Sequence, residues 1–278
     1  MLTFTNCKIN LGLYVTGKRP DDYHNLETIF YPIGLNEPLE IVPATTSAMH
    51  ISGNSIAGNT TNNLVWRAYM LLKNDFPTQV GQLDIYLHKV LPMGAGLGGG
   101  SADAAFMLML IDKYAQLGLS KPQLAAYALQ LGSDCPFFIY NKPCLAKGRG
   151  QELEEVALDL SDYSLQLICP ELHISTAAAF KMMTPAAAPI DLKKLPEIPI
   201  SQWKDLLSND FEKPVFAQHP VLALIKQQLY DAGAIYAAMS GSGSTIYGIF
   251  NSTQRANIKA NIAFRDVFVV ALKPNAHI

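Results

Sequence analysis

Residues 92–101 read Pro-Met-Gly-Ala-Gly-Leu-Gly-Gly-Gly-Ser. Upstream, Leu83, Ile85 and Leu87 alternate with polar neighbours, which predicts a strand with one apolar face. Downstream, Ser101 to about Leu117 is apolar nearly all round, which predicts a largely buried helix. The glycines therefore join a strand to a helix. Lacking Cβ atoms, they let backbone N–H groups approach an anion, and the helix N-terminus adds about half a positive charge. A flexible linker is the plain alternative, and the strand–turn–helix setting argues against it. Gly94, Gly96 and Gly99 satisfy G-x-G-x-x-G, but a dinucleotide fold needs an acid about 20 residues on at a strand end, and Asp112 falls in the helical pattern. Gly94, Gly99 and Ser101 have Walker A spacing, but Gly100 stands where the lysine belongs. H-R-D and D-F-G are absent. The reading is a phosphate loop that must find its cation elsewhere.

Composition bounds the partners. The 278 residues include 21 Lys plus Arg and 23 Asp plus Glu, a net charge of −2, with no run of five like charges. A nucleic-acid footprint is not expected. Cys7, Cys135, Cys144 and Cys169 form no C-x-x-C pair, and no H-E-x-x-H occurs. No apolar run reaches the roughly 18 residues of a membrane helix. The segment MLTFTNCKIN has neither signal-peptide nor transit-peptide character. The expectation is a cytoplasmic protein with a small-molecule substrate, and no membrane or obligate protein partner is evident.

Around the loop, mixed elements follow. Cys7, Ile9, Leu11, Leu13 and Val15 alternate with Asn6, Lys8, Asn10 and Tyr14, a strand that puts Lys8 and Asn10 on its second face. Gly17 to Asp22 reads as a turn, and Thr28 to Ile33 as a second strand. Asn62 or Asn63 caps a helix through about Asn74. Leu124, Tyr127, Ala128 and Leu131 give a helix stopped by Gly132. Residues 144–155 read as a hairpin, and Leu165 to Cys169 as a buried strand. Pro185 to Pro199, with four prolines, reads as a surface loop. Val221 to Ala232 is helical, Ala237 to Phe250 is strand, glycine turn and strand, and Val267 to Leu272 is a last strand. A boundary falls near 155–160.

Three motifs in order, Lys8-Ile9-Asn10-Leu11, the loop with its following Ala102-Asp103-Ala104-Ala105, and Ser240-Gly-Ser-Gly-Ser-Thr245, resemble the GHMP small-molecule kinase superfamily. The likeness spans about residues 4–250. Gly17 to His24 (GKRPDDYH), Leu131 to Pro136 (LGSDCP) and Asn209-Asp-Phe-Glu212 resemble one branch of it, whose substrate alcohol carries a cytidine diphosphate. The resemblance implies an α+β, two-domain fold. Residues 1–157 would form the N-terminal domain, like the second domain of ribosomal protein S5. Residues 158–278 would form a ferredoxin-like C-terminal domain, with the active site in the cleft between.

The resemblance also implies roles. ATP would be held by Pro92, Met93, Gly94, Ala95, Gly96, Leu97, Gly98, Gly99, Gly100, Ser101 and Ala102, with Asn63 at the adenine pocket unless it serves only as a helix cap. Lys8 and Asp134 would flank the reacting hydroxyl. Asp134 then either takes its proton or orients it and keeps Lys8 charged. Ser101 would reach Mg²⁺ or a β-phosphate, with Asp134, or less favourably Asp103, completing the metal shell. Tyr23, His24, Thr176 and Phe180 would hold the cytidine, and Asn10 would lie near the reacting group. The plain alternatives are an edge-strand lysine, a turn or cap aspartate, and core aromatics. Asn6-Cys7-Lys8 departs from the usual Pro-Ala-Lys, and the segment before Phe180 lacks its usual proline border. Rival readings are a mevalonate, homoserine or sugar kinase, a catalytically silent nucleotide binder, and a dinucleotide oxidoreductase, the last disfavoured by the missing strand-end acid.

Overall fold

Two long strands open the chain, β1 (Leu2–Lys18) and β2 (His24–Pro43), and they pair with each other. The structure, a computed structural model, describes residues 1–55, 59–251 and 264–272. Arg19 N–H donates to the Tyr23 carbonyl across the turn, and Asp22 takes a left-handed φ of 61° there. The turn is thus shorter than Gly17 to Asp22, because β1 runs on through Lys18. Strand β2 is far longer than the expected Thr28 to Ile33. The chain divides into two compact units that interleave in sequence: residues 1–7, 35–93 and 98–142, and residues 8–34, 94–97 and 143–278.

In the first unit, β3 (Ala48–Gly53) runs parallel to β4 (Leu83–Lys89), and β4 pairs antiparallel with Leu39 to Pro43 of β2. Among the described residues, four helices accompany this sheet: α1 (Leu64–Asp75), α2 (Gly99–Ala115), α3 (Lys121–Leu131) and α4 (Cys135–Tyr140). Asn63 caps α1, its side-chain oxygen accepting from Val65 N–H at 2.9 Å. Val65, Ala68, Tyr69 and Leu72 form the buried stripe of α1. Helix α2 buries Ala102, Ala104, Ala105, Met107, Leu108 and Ile111 completely, and its small residues allow α1 and α4 to approach closely.

In the second unit, β5 (Cys144–Lys147) and β6 (Glu152–Glu155) form the expected hairpin, and β5 pairs with Thr28 to Phe30 of β2. An antiparallel sheet follows in the order β10-β7-β9-β8, from β7 (Ser164–Pro170), β8 (Tyr236–Met239), β9 (Ile246–Phe250) and β10 (Phe264–Ala271). The helices are α5 (Thr176–Lys181), α6 (Trp203–Leu206), α7 (Glu212–Gln218) and α8 (Pro220–Asp231). Helix α8 packs on β8 and β9, and Leu222, Ile225 and Leu229 share a buried cluster with Leu13, Val15 and Phe211. Fully burying each such side chain contributes about 1.5–3 kcal/mol.

The second face of β1, with Asn6, Lys8, Asn10 and Tyr14, is buried like the first. One expectation needs correction. The stretch from Pro185 to Pro199 is not wholly irregular. It holds a 3₁₀ turn, Leu192–Glu197, whose Leu192 and Leu195 are fully buried.

Candidate active site

The loop from Pro92 to Ser101 follows β4 and runs into α2. Gly94, Gly96 and Gly98 take φ of 68°, 80° and 71°, left-handed values that alternate with ordinary ones. Such alternation turns successive amides to one side and makes an anion-binding concavity. A Cβ on Gly96 would overlap the Ser240 carbonyl oxygen, so glycine is required there twice over. Gly98 occupies the N-cap of α2, which places Ser101 third in the helix and not at the cap. The Ser101 hydroxyl is hydrogen-bonded with the Cys135 thiol, and burial pushes that thiol up to about 12.

Lys8 is 3% exposed. Its Nζ donates to Asn10 Oδ1 at 2.6 Å and to the Gly96 carbonyl at 3.2 Å, and it lies 4.9 Å from the Phe30 ring centroid. Asn10 Nδ2 donates to Thr28 Oγ1 at 3.1 Å, which fixes its amide with oxygen towards Lys8. Ser240 Oγ also donates to the Gly96 carbonyl, at 2.8 Å. The second glycine cluster therefore meets the phosphate loop at one oxygen.

The Asn209 to Glu212 segment holds that cluster. Asn209 Nδ2 donates to the carbonyls of Met239 and Gly241, each at 2.8 Å. Glu212 Oε1 accepts from Met239 N–H at 2.8 Å, while Oε2 pairs with Lys226 at 2.6 Å. Asp210 Oδ2 accepts from Val15 N–H at 2.8 Å, tying the segment to β1. Burial raises the Asp210 pKa.

His24 and Phe180 meet face to face, with centroids 5.1 Å apart at 18°. Phe180 also meets the edge of Phe211. Tyr23 is 53% exposed, and the Arg149 guanidinium lies 4.0 Å over its ring. Thr176 Oγ1 lies 3.0 Å from Ser242 Oγ, within hydrogen-bonding distance. The stacked aromatic pair in the structure is thus His24 with Phe180.

In the first unit a cavity of about 630 Å³ is lined by Asn54, Asn59, Asn62, Asn63, Met93 and Gly100, among others. Asn63 both caps α1 and faces this cavity. Asp134 stands at the N-cap position of α4 without a side-chain capping bond. Among the described residues no group of three His, Cys, Asp or Glu side chains could hold a metal. Asp103 is engaged otherwise: Oδ1 accepts from Thr5 Oγ1 at 2.6 Å and Oδ2 pairs with Lys89 at 2.7 Å. It is therefore unsuited to completing a metal shell. Sequence reading missed Lys89 and its second partner, Glu37. Both carried a signal. Lys89 shares the strand phase of Leu83, Ile85 and Leu87, and Glu37 that of Leu39 and Ile41, so each is a charge in an apolar register.

Two family models match the chain: the GHMP kinases N-terminal domain over residues 63–142 and the GHMP kinases C-terminal domain over residues 192–267. The chain belongs to the GHMP kinases. The N-terminal match takes in the phosphate loop and Asp134, and the C-terminal match takes in the Ser240 to Thr245 turn. A Bacteroides fragilis protein named 4-diphosphocytidyl-2-C-methyl-D-erythritol kinase is 50% identical over 92% of this GHMP kinase and 94% of its own length. A Parabacteroides distasonis protein of the same name is 46% identical over 97% and 98%. A crystal structure of 4-(cytidine 5'-diphospho)-2C-methyl-D-erythritol kinase superposes with a TM-score of 0.77 at 31% identity, covering 89% of each chain. The fold is the two-domain α+β fold of GHMP kinases.

Proposed function

We propose that this GHMP kinase transfers the γ-phosphoryl group of ATP to the 2-hydroxyl of 4-diphosphocytidyl-2-C-methyl-D-erythritol, a step of non-mevalonate isoprenoid precursor synthesis. The observation that carries the substrate is half-identity, over more than nine-tenths of both lengths, to a protein of that name. The chemistry rests on this chain's own residues. Phosphoryl transfer asks the protein for alignment and charge neutralisation more than for covalent work. Amides of the three left-handed glycines and of the α2 N-terminus receive the phosphates. Lys8, at the Gly96 carbonyl, supplies the ammonium that the loop lacks. Asp134 accepts the hydroxyl proton or orients the hydroxyl, and Asn10 fixes the position of the Lys8 ammonium.

The amide-rich cavity beside Asn63 is the place for the adenine. Tyr23, His24, Thr176 and Phe180 receive the cytidine, whose base stacks on aromatic faces. Ser101 and Asp134 would hold Mg²⁺ together with the nucleotide phosphates, an arrangement that needs no dedicated all-protein cage. When bound, it neutralises charge on the β- and γ-phosphates. Functionally, residues 1–157 act as the loop-bearing domain and 158–278 as its C-terminal partner, although the compact units interleave. We place the enzyme in the cytoplasm, with a small-molecule substrate and no nucleic-acid, membrane or obligate protein partner. Four buried cysteines outside any disulfide favour a reducing compartment, and among the described residues no helix is long and apolar enough to cross a membrane.

The test is ADP release from purified protein with MgATP and, in parallel, the diphosphocytidyl alcohol, mevalonate, homoserine and galactose. Turnover confined to the first is expected. Turnover with another alcohol would discard the cytidine site and keep the kinase. ATP binding without turnover on any of them would favour a silent nucleotide binder.

A further inference from the structure

Three buried charges meet at the two ends of the phosphate loop. Glu37 lies in β2, Lys89 ends β4, and Asp103 lies in the second turn of α2. Lys89 Nζ bonds Glu37 Oε2 and, at 2.7 Å, Asp103 Oδ2. Glu37 Oε1 accepts from the N–H groups of Val90 and Leu91, both at 2.6 Å. Those are the two residues immediately before the loop. Asp103 belongs to the helix immediately after it, and Thr5 Oγ1 holds its other oxygen. Thr5, Glu37, Lys89 and Asp103 are all buried. A Cβ built on Gly99, at the start of α2, would lie 3.5 Å from Glu37 Oε2, so the carboxylate that holds the entry of the loop also lies close to its exit.

Stability alone is a poor reason for such a cluster. Buried ion networks lose in desolvation much of what they gain in attraction, and apolar replacements of the same shape are often as stable. Position is the better reason. A loop with three glycines in left-handed conformations has more backbone freedom to lose than an ordinary turn. Its amides converge on one anion only if its two ends are held in fixed relation. We infer that Glu37, Lys89 and Asp103 are positioning residues for the ATP phosphates. They clamp the entry and exit of the loop and set the direction of its amides without touching the nucleotide. The inference rests on the reading of Pro92 to Ala102 as the phosphate loop.

Two shape-preserving variants test it. Glu37→Gln puts an amide donor against the Lys89 ammonium, and Thr5→Val removes only the bond to Asp103. MgATP affinity is measured by calorimetry, KM values for MgATP and for the alcohol by steady-state kinetics, and folding by thermal melting. The expected result is a tenfold or larger weakening of MgATP binding in Glu37→Gln and about threefold in Thr5→Val. The alcohol KM should stay within twofold in both. Should Glu37→Gln fail to fold, Thr5→Val decides alone. Lowered melting with unchanged MgATP affinity would overturn the inference and leave a merely structural cluster, as would parallel rises in both KM values. If MgATP binding is unchanged in the variants and normal in the wild type, only the positioning role falls. If the wild type itself does not bind MgATP, the phosphate-loop reading falls with it.

Discussion

Lys8 Nζ and the Gly96 carbonyl oxygen lie 3.2 Å apart, although 88 positions separate them in the chain. A glycine loop without its own lysine thus has an ammonium at its centre, delivered by the first strand. The same carbonyl accepts from Ser240 Oγ, so one oxygen of the loop joins all three motifs.

Replacing Lys8 by methionine keeps the stem and removes the ammonium. Stopped-flow single turnovers should show phosphoryl transfer slowed by at least about a hundredfold, roughly 2.7 kcal/mol of transition-state stabilisation. ATP affinity should change only a few-fold, because the loop amides remain. A rate within threefold of wild type would remove Lys8 from the chemistry.

Asp134→Ala separates binding from chemistry in the same way. Thermal melting run alongside the kinetics separates a folding defect from a loss of chemistry. The expected result is loss of most turnover with ATP binding retained, the signature of a group needed in the transition state. Loss of ATP affinity in proportion to rate would contradict it.

Tyr23→Ala should raise KM for the cytidine substrate at least tenfold and leave KM for ATP nearly unchanged. An exposed ring with a guanidinium over one face contributes little to folding and offers its other face to a base. Tyr23→Phe should restore most of the affinity, since stacking uses the ring and not the hydroxyl. Equal shifts in both KM values would take Tyr23 out of the cytidine site.

Gly96 and Gly100 should respond oppositely to alanine. At Gly96 φ is left-handed and a Cβ would overlap the Ser240 carbonyl, so Gly96→Ala should lower the melting midpoint and abolish ATP binding. At Gly100, in the first turn of α2, a Cβ meets nothing within 4 Å, and alanine should be neutral or stabilising by up to about 1 kcal/mol. Differential scanning calorimetry of the two variants distinguishes local strain from a general intolerance of the loop.

The buried charges make a pH prediction. Burial, with Glu37 opposing and Lys89 favouring ionisation, pushes Asp103 up to about 6. An unfolded aspartate titrates near 3.9, so between about pH 4 and 6 the native state holds a proton that the unfolded chain has released. That contribution is present at low pH and lost as pH rises through 6. Asp103→Asn carries no such proton, so its stability relative to wild type should climb from pH 4 to 6 and then level off. A flat difference across that range would show that Asp103 is not the titrating group.

What could be read from sequence was local. The strand–glycine–helix of the phosphate loop, the Asn63 cap and the β5–β6 hairpin follow from short-range periodicity and turn chemistry, and they stand where expected. Strand β2 was not legible at its full length, because Pro32, Gly34 and Pro38 look like breakers. Those residues fall outside its registers with β4 and β5, where a missing N–H costs no bond in either ladder. The 3₁₀ turn near residue 195 was hidden for another reason. Two leucines three apart align in a 3₁₀ helix, but one such pair is too short a pattern to stand out among prolines.

In the site, Lys8, Asn10 and Ser240 gather as their motifs suggested, within one unit. The clamp of Glu37, Lys89 and Asp103 was missed because each charge lies among apolar neighbours that define its element so well that the exception passes unnoticed. Glu37 meets Lys89 only through the long-range pairing of β2 with β4, which sets Leu39 opposite Leu87. The His24–Phe180 stack likewise depends on residues 156 positions apart, which no local pattern reports.

Cys135 adjoins Ser101 in the first turn of the helix that follows the glycine loop, and its proximity invites electrophilic ligands. Its environment refuses them. Burial pushes the thiol up to about 12, so little thiolate is present at neutral pH, and the residue is fully covered. Peroxide and alkylating warheads alike need the thiolate. A compound that occupies this loop therefore gains little from a thiol-directed group and has to bind through shape and hydrogen bonds.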